Sequence, residues 1–499
     1  MSKKVLKIYN TMSRKIEEFH PLIEEGKKDF VWIYSCWPTV YSEPHIGNMR
    51  AYVFADILRN VIKNILWYPV KHVVNITDVW HLTDDADQGE DKIEKAAKKE
   101  KLSAWDIARK YENIFKNYLQ MLNIEPFDVM PRATEHIKEQ IDMVKKLEEK
   151  WYTYKTSDWI YMDTSKVSDY WKLARLDKEG LKAGARVDLW EKKNPTDFAL
   201  WKFSPKDKKR QMEWDSPWWV WFPGWHIECS AMSTKYLWEQ FDIHTWWVDH
   251  IPVHHTNEIA QSECALGIKP WVKYWMHVQY LLFKWEKASK SKGNVVTLRQ
   301  LIEKWFDPMD LRYMFLTSHY RSFIDFTWEN LEKARKGRLK LIRKILEILK
   351  NIWGKSEEIL KKIEEANYDY ELKEKLEEIV LNDLNTPKVI AEIHKVLSDI
   401  SDKIKNSSDF FRTSKDVLSI LKTIDWFDKA VLKLNLLESA IEQLKKQQDI
   451  PEEIKQLAEK RWKAKLEKNY QLADKLREEI RSKWYEILDK KDGYEIVKI

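Results

Sequence analysis

The sequence predicts an α/β fold, a parallel sheet covered by helices, continued by an all-helical region. Two observations carry this. In the first part, short β-branched and aromatic runs alternate with polar turns and helical patterns, the rhythm of a parallel sheet whose strands are joined by helices. After roughly residue 330 the strand signal fades, and long, charged, leucine-periodic stretches take over.

In chain order, "FVWIYSC" (30–36) reads as a first strand and "KHVVNIT" (71–77) as a second, with the helical pattern "ADILRNVIKNIL" (55–66) between them. "LEKARKGRLKLIRKILEILKNI" (331–352) opens the helical region, and the tail "YEILDKKDGYEIVKI" (485–499) reads as a hairpin turning at Asp492 and Gly493. The chain shows no tandem repeat and no linker longer than a loop.

Apolar residues make up 44% and charged residues 33%, which describes a soluble globular protein, and 499 residues suggest three or four domains. The 86 Lys and Arg against 80 Asp and Glu leave +6, which permits a polyanionic partner without requiring one. The start "MSKKVLKIYN" has no apolar run of signal-peptide length, and no stretch approaches the roughly 18 apolar residues of a membrane span. Cys36, Cys229 and Cys264 cannot make a disulfide framework. A cytoplasmic setting is expected, in which isolated thiols are available to metals.

One feature of the composition is abnormal. The chain has 27 Trp and only 11 Gly, where ordinary usage predicts roughly 35 Gly. Together the two make 38, close to the glycine expectation alone. In "FDIHTWWVDHIPVHHTNE" (241–258), two adjacent indoles stand in a polar, histidine-rich run that otherwise looks like a ligand site.

Two short motifs suggest phosphate chemistry. "PHIGN", with His45, Gly47 and Asn48, follows a strand and precedes a helix; "KASKSKGN" supplies Lys287 and Lys290 some 240 residues later. An imidazole and an amide at a helix N-terminus can bind phosphate oxygens, and two lysines on a loop can neutralise them. Either motif alone says little, since a lysine–serine run is ordinarily a solvated loop. In this order they resemble the two signature motifs of class I aminoacyl-tRNA synthetases, with Ala288 where methionine is usual. "KIYNT", "YSCWPTVY", "NITDVWHLTDDAD", "NPTDFALWK", "PGWHIECSAMS", "HHTNEIAQSE", "YWMH", "HYRSFIDFTWENLEKA", "LNDLNTPKVIAEI" and "LADKLREEI" narrow the resemblance to the cysteinyl-tRNA synthetase family, over nearly the whole chain.

The resemblance implies a Rossmann-like catalytic domain (1–125 and 219–270) split by an inserted connective region (126–218). A connecting stretch with the lysine loop (271–333), a helical bundle (334–420) and a small anticodon-binding end (421–499) follow. It implies ATP-dependent ligation of L-cysteine to tRNA(Cys) through an adenylate, with Mg²⁺ accompanying ATP, by a monomer. His45, Asn48, Lys287 and Lys290 would be catalytic, and these together with Gly47 and Asp249 would bind ATP. Thr77 would meet the substrate ammonium, and Trp225 would wall the amino-acid pocket. Cys36, Cys229, His254 and Glu258 would hold one Zn²⁺, whose donor types suit that metal, with His255 a neighbour that orients rather than ligates. By themselves these four would read as a solvated helix face and buried packing thiols; only the resemblance groups them. Zinc prefers thiolate to hydroxyl, whereas shape alone separates such similar substrates by roughly 1 to 3 kcal/mol. A ligase joining cysteine to a small amine would share this core but lack most of the helical portion, and a non-catalytic paralogue would be expected to lose signature residues.

Against the family pattern, tryptophan stands where glycine is expected at Trp37, Trp67, Trp80, Trp151, Trp171, Trp219, Trp221, Trp238, Trp246, Trp247, Trp285, Trp305 and Trp484, with Trp32 and Trp159 fitting the same pattern. Trp201, Trp218, Trp225, Trp275 and Trp328 look native. A one-directional replacement of this kind is expected if UGA, read as glycine by the source organism, has been translated as tryptophan. A chain made with Trp at these positions is then expected to be insoluble or inactive.

Overall fold

The computed structural model describes residues 4–36, 39–79, 92–175, 191–203, 212–218, 220–287, 295–352, 354–406, 415–490 and 493–498. The chain divides into two compact units. One comprises Met1–Lys336, Lys375–Ile390 and Ala430–Leu434; the other comprises Gly337–Glu374, Ala391–Lys429 and Asn435–Ile499.

At the centre of the first unit is a four-stranded sheet of β1 (Val31–Ser35), β2 (Val70–Val74), β3 (Phe241–Trp247) and β4 (Val272–Val278), ordered β4-β3-β1-β2 with every pair parallel. Every residue of β1 and β3 is buried, as expected of a parallel sheet covered on both faces. Helix α1 (Ile46–Asn64) joins β1 to β2, and α2 (Trp225–Leu237) and α3 (Thr256–Leu266) flank β3 in the chain.

Between β2 and α2 the chain builds a second sheet of five antiparallel strands, ordered Thr153–Lys155, Trp159–Met162, Phe198–Phe203, Val220–Pro223 and Trp214–Asp215. Its core residues, Leu200 and Trp201 among them, cluster with Ile227 and Ala231 of α2 and Ala260 of α3. At Gly224 the chain leaves this sheet for α2, and a Cβ there would lie 2.1 Å from the Ala199 carbonyl oxygen, so only glycine fits.

Lys375–Ile390 joins the first unit through Asp383, whose carboxylate accepts hydrogen bonds from the Tyr9 N–H (2.9 Å), the Tyr320 hydroxyl (2.6 Å) and Arg321 Nε (2.8 Å). Ala430–Leu434 joins it through Lys433, 3.4 Å from Asp56 and 2.8 Å from Glu125.

The second unit is helical apart from one hairpin, among the described residues. Helix Trp328–Lys350, whose later part lies in it, buries Leu341, Ile345, Ile348 and Leu349 on one stripe, the i, i+4, i+7, i+8 spacing of an amphipathic helix. Strands Tyr485–Lys490 and Gly493–Lys498 pair antiparallel, and with helices Glu452–Leu466 and Tyr470–Ser482 they bury Ile454, Ala458, Ile480 and Ile487. Asp492 of the expected turn lies outside the described residues.

Candidate metal and nucleotide site

Four side chains from separate elements converge at one end of the parallel sheet. Cys36 directly follows β1, Cys229 stands in α2, His254 in the π-helical turn Ile251–His255, and Glu258 in the first turn of α3. Their ligand atoms all lie within 4.8 Å of one another, and all four residues are buried. His254 and Glu258, four residues apart, share a face, with His254 Nε2 3.0 Å from Glu258 Oε1. Glu258 Oε2 is 2.9 Å from His244 Nε2, yet neither approach has hydrogen-bond geometry. His254 Nε2, His244 Nε2 and both Glu258 oxygens are buried without a hydrogen-bond partner among the described residues. Orphaned buried polar atoms are costly, and an ion at this point would satisfy His254 and Glu258 together. Two thiols, an imidazole and a carboxylate form a donor set that fits zinc.

Burial and mutual attraction set the ionisation of all four groups. Burial pushes the Cys36 thiol up to about 11 and the Cys229 thiol well above its ordinary range. Burial disfavours the charged forms of Glu258 and His254, but mutual attraction prevails: His254 and His244 hold the Glu258 carboxyl low, while the Glu258 carboxylate and Cys229 raise His254 to about 10. A divalent cation would displace protons from both thiols.

Besides His255, which the sequence reading gave as an orienting neighbour, His226 and His277, which it passed over, lie beside the cluster. His226 Nδ1 lies 2.8 Å from His254 Nδ1, which turns the Nε2 of His254 toward Glu258. His255 Nε2 is 3.7 Å from Cys36 Sγ, and its Nδ1 is 2.8 Å from His277 Nε2, which in turn contacts Thr11 through Nδ1 at 2.7 Å. The only sequence signal for this shell was the density of histidine around residue 250.

Helix α1 begins at the "PHIGN" motif. His45 is its N-cap: Nδ1 accepts from the Asn48 N–H (3.3 Å), and Asn48 Oδ1 accepts from the His45 N–H (3.1 Å), a reciprocal cap that fixes the imidazole at the helix start. A Cβ on Gly47 would lie 2.7 Å from His45 Nδ1, so glycine lets the ring fold back over the first turn. The residues on either side of 288–294 both reach this helix start. Strand Leu281–Phe283, paired with Glu286–Lys287, brings Leu281 to 4.0 Å from the Gly47 Cβ position; on the far side Ile46 N–H donates to the Val296 carbonyl at 2.8 Å. The Lys287 side chain and all of Lys290 lie outside the described residues. Arg50, one turn into α1 and buried, donates to the carbonyls of Gln279 (2.8 Å), Tyr280 (2.6 Å), His319 (3.2 Å) and Ser322 (2.5 Å). It ties the helix to the segment after β4.

Trp225, first residue of α2, packs against His254 with the rings tilted by 32° and their centroids 4.3 Å apart, and also contacts His250. Thr77 is buried just past β2, its hydroxyl accepting from Asn75 Nδ2 at 2.9 Å. Asp249 is exposed in the turn after β3. Trp246 and Trp247 close β3. The Trp246 ring packs against Tyr52 (5.2 Å) and His250 (5.9 Å), and Trp247 stacks on Tyr280 (6.3 Å). Tyr52 donates to the Cys36 carbonyl at 3.0 Å, so the Trp246 indole packs on an α1 side chain that itself reaches the cluster.

Comparison with known proteins fixes the class first. Residues 22–336 match the family model described as the tRNA synthetases class I (C) catalytic domain. The solved methionyl-tRNA synthetase of Mycobacterium tuberculosis in complex with methionyl-adenylate is 13% identical, with a TM-score of 0.54 over 83% of this chain and 92% of its own, a likeness of fold. Cysteine–tRNA ligase 1 of Burkholderia lata is 42% identical over 98% of this chain and 96% of its own. The cysteine–tRNA ligases of Treponema denticola (42% identical over 95% and 96%) and Thermococcus gammatolerans (38% over 98% and 98%) match to similar extents. The chain therefore belongs to the cysteine–tRNA ligase family of class I synthetases.

Proposed function

We propose that the protein activates L-cysteine with ATP and transfers it to tRNA(Cys), with the buried cluster holding one zinc ion. The convergence of Cys36, Cys229, His254 and Glu258, in a chain that matches cysteine–tRNA ligases from end to end, carries this reading. Bound there, zinc would accept the substrate sulfur as a further ligand, a preference that a hydroxyl does not satisfy at neutral pH. Trp225, beside His254, would wall the pocket near the sulfur; Thr77 would meet the substrate ammonium and Asp249 the ribose. The capped N-terminus of α1, with His45 and Asn48, meets the phosphates of Mg²⁺-ATP. Lys287 and Lys290 supply the balancing charge as the substrate carboxylate displaces pyrophosphate from the α-phosphorus. Such catalysis is positioning plus electrostatics.

Full-length matching by the ligases, through the helical portion, favours tRNA over a small amine as acceptor. Among the described residues no helix is long and apolar enough to cross a membrane. The test measures pyrophosphate exchange with cysteine and with serine, and charging with and without tRNA, on the chain as written and with Trp246→Gly and Trp247→Gly. Zinc-dependent exchange with cysteine only, followed by charging, is expected of the chain with glycine at 246 and 247. Equal exchange with serine in an active preparation would overturn the reading.

A further inference from the structure

Sixteen non-glycine residues among those described have positive φ, and six are tryptophan: Trp67 (61°), Trp151 (63°), Trp238 (65°), Trp285 (63°), Trp305 (63°) and Trp484 (68°). Bulky residues rarely adopt this region, and 27 Trp in 499 residues would not fill so large a share by chance. The same six are 66% to 86% exposed, although indoles normally bury most of their surface. Strain is thus combined with little packing gain: Trp238 keeps a tilted contact with the Trp32 ring at 6.4 Å and lies under Lys28, yet it is still 66% exposed.

At four of these positions the local motif itself asks for glycine. The Trp151 and Tyr152 N–H groups donate to the carbonyls of Glu148 and Leu147 (both 2.9 Å), and those of Trp305 and Phe306 to Ile302 (2.9 Å) and Leu301 (3.1 Å). This is the double helix-end closure whose left-handed residue is usually glycine. Lys284 and Trp285, both with positive φ, form the two-residue hairpin loop between Phe283 and Glu286, the turn that prefers glycine at its second position. Trp238, with φ 65° and ψ −164°, occupies a region open essentially to glycine alone. Where glycine survives in this sequence it does the same work, as at Gly26 (φ 68°) and Gly267 (φ 77°), each ending a helix.

We infer that the functional protein has glycine at these six positions and also at 246 and 247, where the missing side chains make room for substrate. The latter pair rests on the site reading proposed above. Trp246 and Trp247 extend β3 beyond its last pairing with β1, at Thr245 and Ser35, into the carboxyl-end crevice where open parallel sheets bind ligands. As glycines they would leave a gap lined by Tyr52, His250 and Tyr280, beside the helix that begins at His45.

Codons, thermal melts and activity together test this. The gene should carry UGA at all eight positions and UGG at the buried Trp201, Trp271 and Trp275; UGG throughout would overturn the inference. In the full chain, replacing Trp by Gly at the six turn positions should raise the unfolding midpoint by at least about 5 °C, and an unchanged or lower midpoint would refute the turn assignment. Adding Trp246→Gly and Trp247→Gly should raise cysteine-dependent pyrophosphate exchange at least about tenfold with zinc content unchanged. Equal exchange at equal zinc would refute the pair, whereas zinc absent from both chains would instead sink the metal reading and leave the glycine assignment to the codons and the melts.

Discussion

Glu258 faces two imidazoles with neither oxygen hydrogen-bonded among the described residues, so removing different neighbours should have graded effects. Cys229→Ser removes a candidate ligand atom and should lower zinc affinity by more than the roughly 10- to 100-fold that loss of an outer-shell partner costs. His244→Gln removes only the neighbour 2.9 Å from Oε2 and should fall within that outer-shell range. Cys264→Ala should leave zinc unchanged, because Cys264 belongs to the apolar cluster around Leu200 and Trp201. Competition against a chromophoric chelator ranks the three. Equal retention by Cys229→Ser and Cys264→Ala would remove Cys229 from the site.

At the scale of elements, α1 is held by an ionic knot as well as by apolar packing. Asp56 is fully buried and meets Arg312 (2.6 Å), Arg59 (3.1 Å) and Lys433 (3.4 Å). Burial alone would raise its pKa, but Arg312, Lys433 and Arg59 together hold it below the usual 3.8. A depressed folded value means that this stabilisation is fully present above about pH 4 and is lost as pH falls through the folded pKa. Asp56→Asn leaves three cations poorly compensated and should cost roughly 3 to 5 kcal/mol at neutral pH. It should also flatten this part of the acid limb, as urea unfolding at a series of pH values would show; a variant as stable as the parent would refute the role. None of this knot was legible in the sequence, because its partners lie up to 377 residues apart while periodicity reports neighbours. β1 was legible for the opposite reason: a strand buried on both faces is a continuous apolar run. β3 was obscured by polar residues whose partners are distant, such as Asp242, which accepts from the Leu22 (2.6 Å) and Trp32 (2.9 Å) N–H groups. The cluster of Cys36, Cys229, His254 and Glu258 was readable only through the family pattern, since no local spacing brings Cys36 to Cys229.

On the scale of the whole molecule, the sequence suggested a break near residue 333 between a sheet-bearing part and a helical part, but the compact unit holding the parallel sheet is not a continuous stretch of chain. It includes Lys375–Ile390 and Ala430–Leu434, whose helical patterning looks like that of their neighbours. They bury apolar side chains, among them Val380, Leu384, Val431 and Leu434, and polar ones as well. Arg312 Nε donates to the Leu432 carbonyl at 2.7 Å, Lys433 meets Asp56, and Asp383 gathers Tyr9, Tyr320 and Arg321. Cutting the chain after residue 336 would take away both segments: Arg312 would lose the Leu432 carbonyl, Asp56 would lose Lys433 and Tyr320 would lose Asp383, each such loss costing roughly 1 to 3 kcal/mol or more for charged groups. Total stabilities are only about 5 to 15 kcal/mol. A fragment of residues 1–336 should therefore show no cooperative thermal transition, whereas the full chain should melt cooperatively under the same conditions. The comparison is best made with glycine restored at the six strained turns in both, so that strain does not mask the result. A sharp, reversible melt of the fragment, seen alike by circular dichroism and tryptophan fluorescence, would show that the sheet-bearing part folds without the two helical segments.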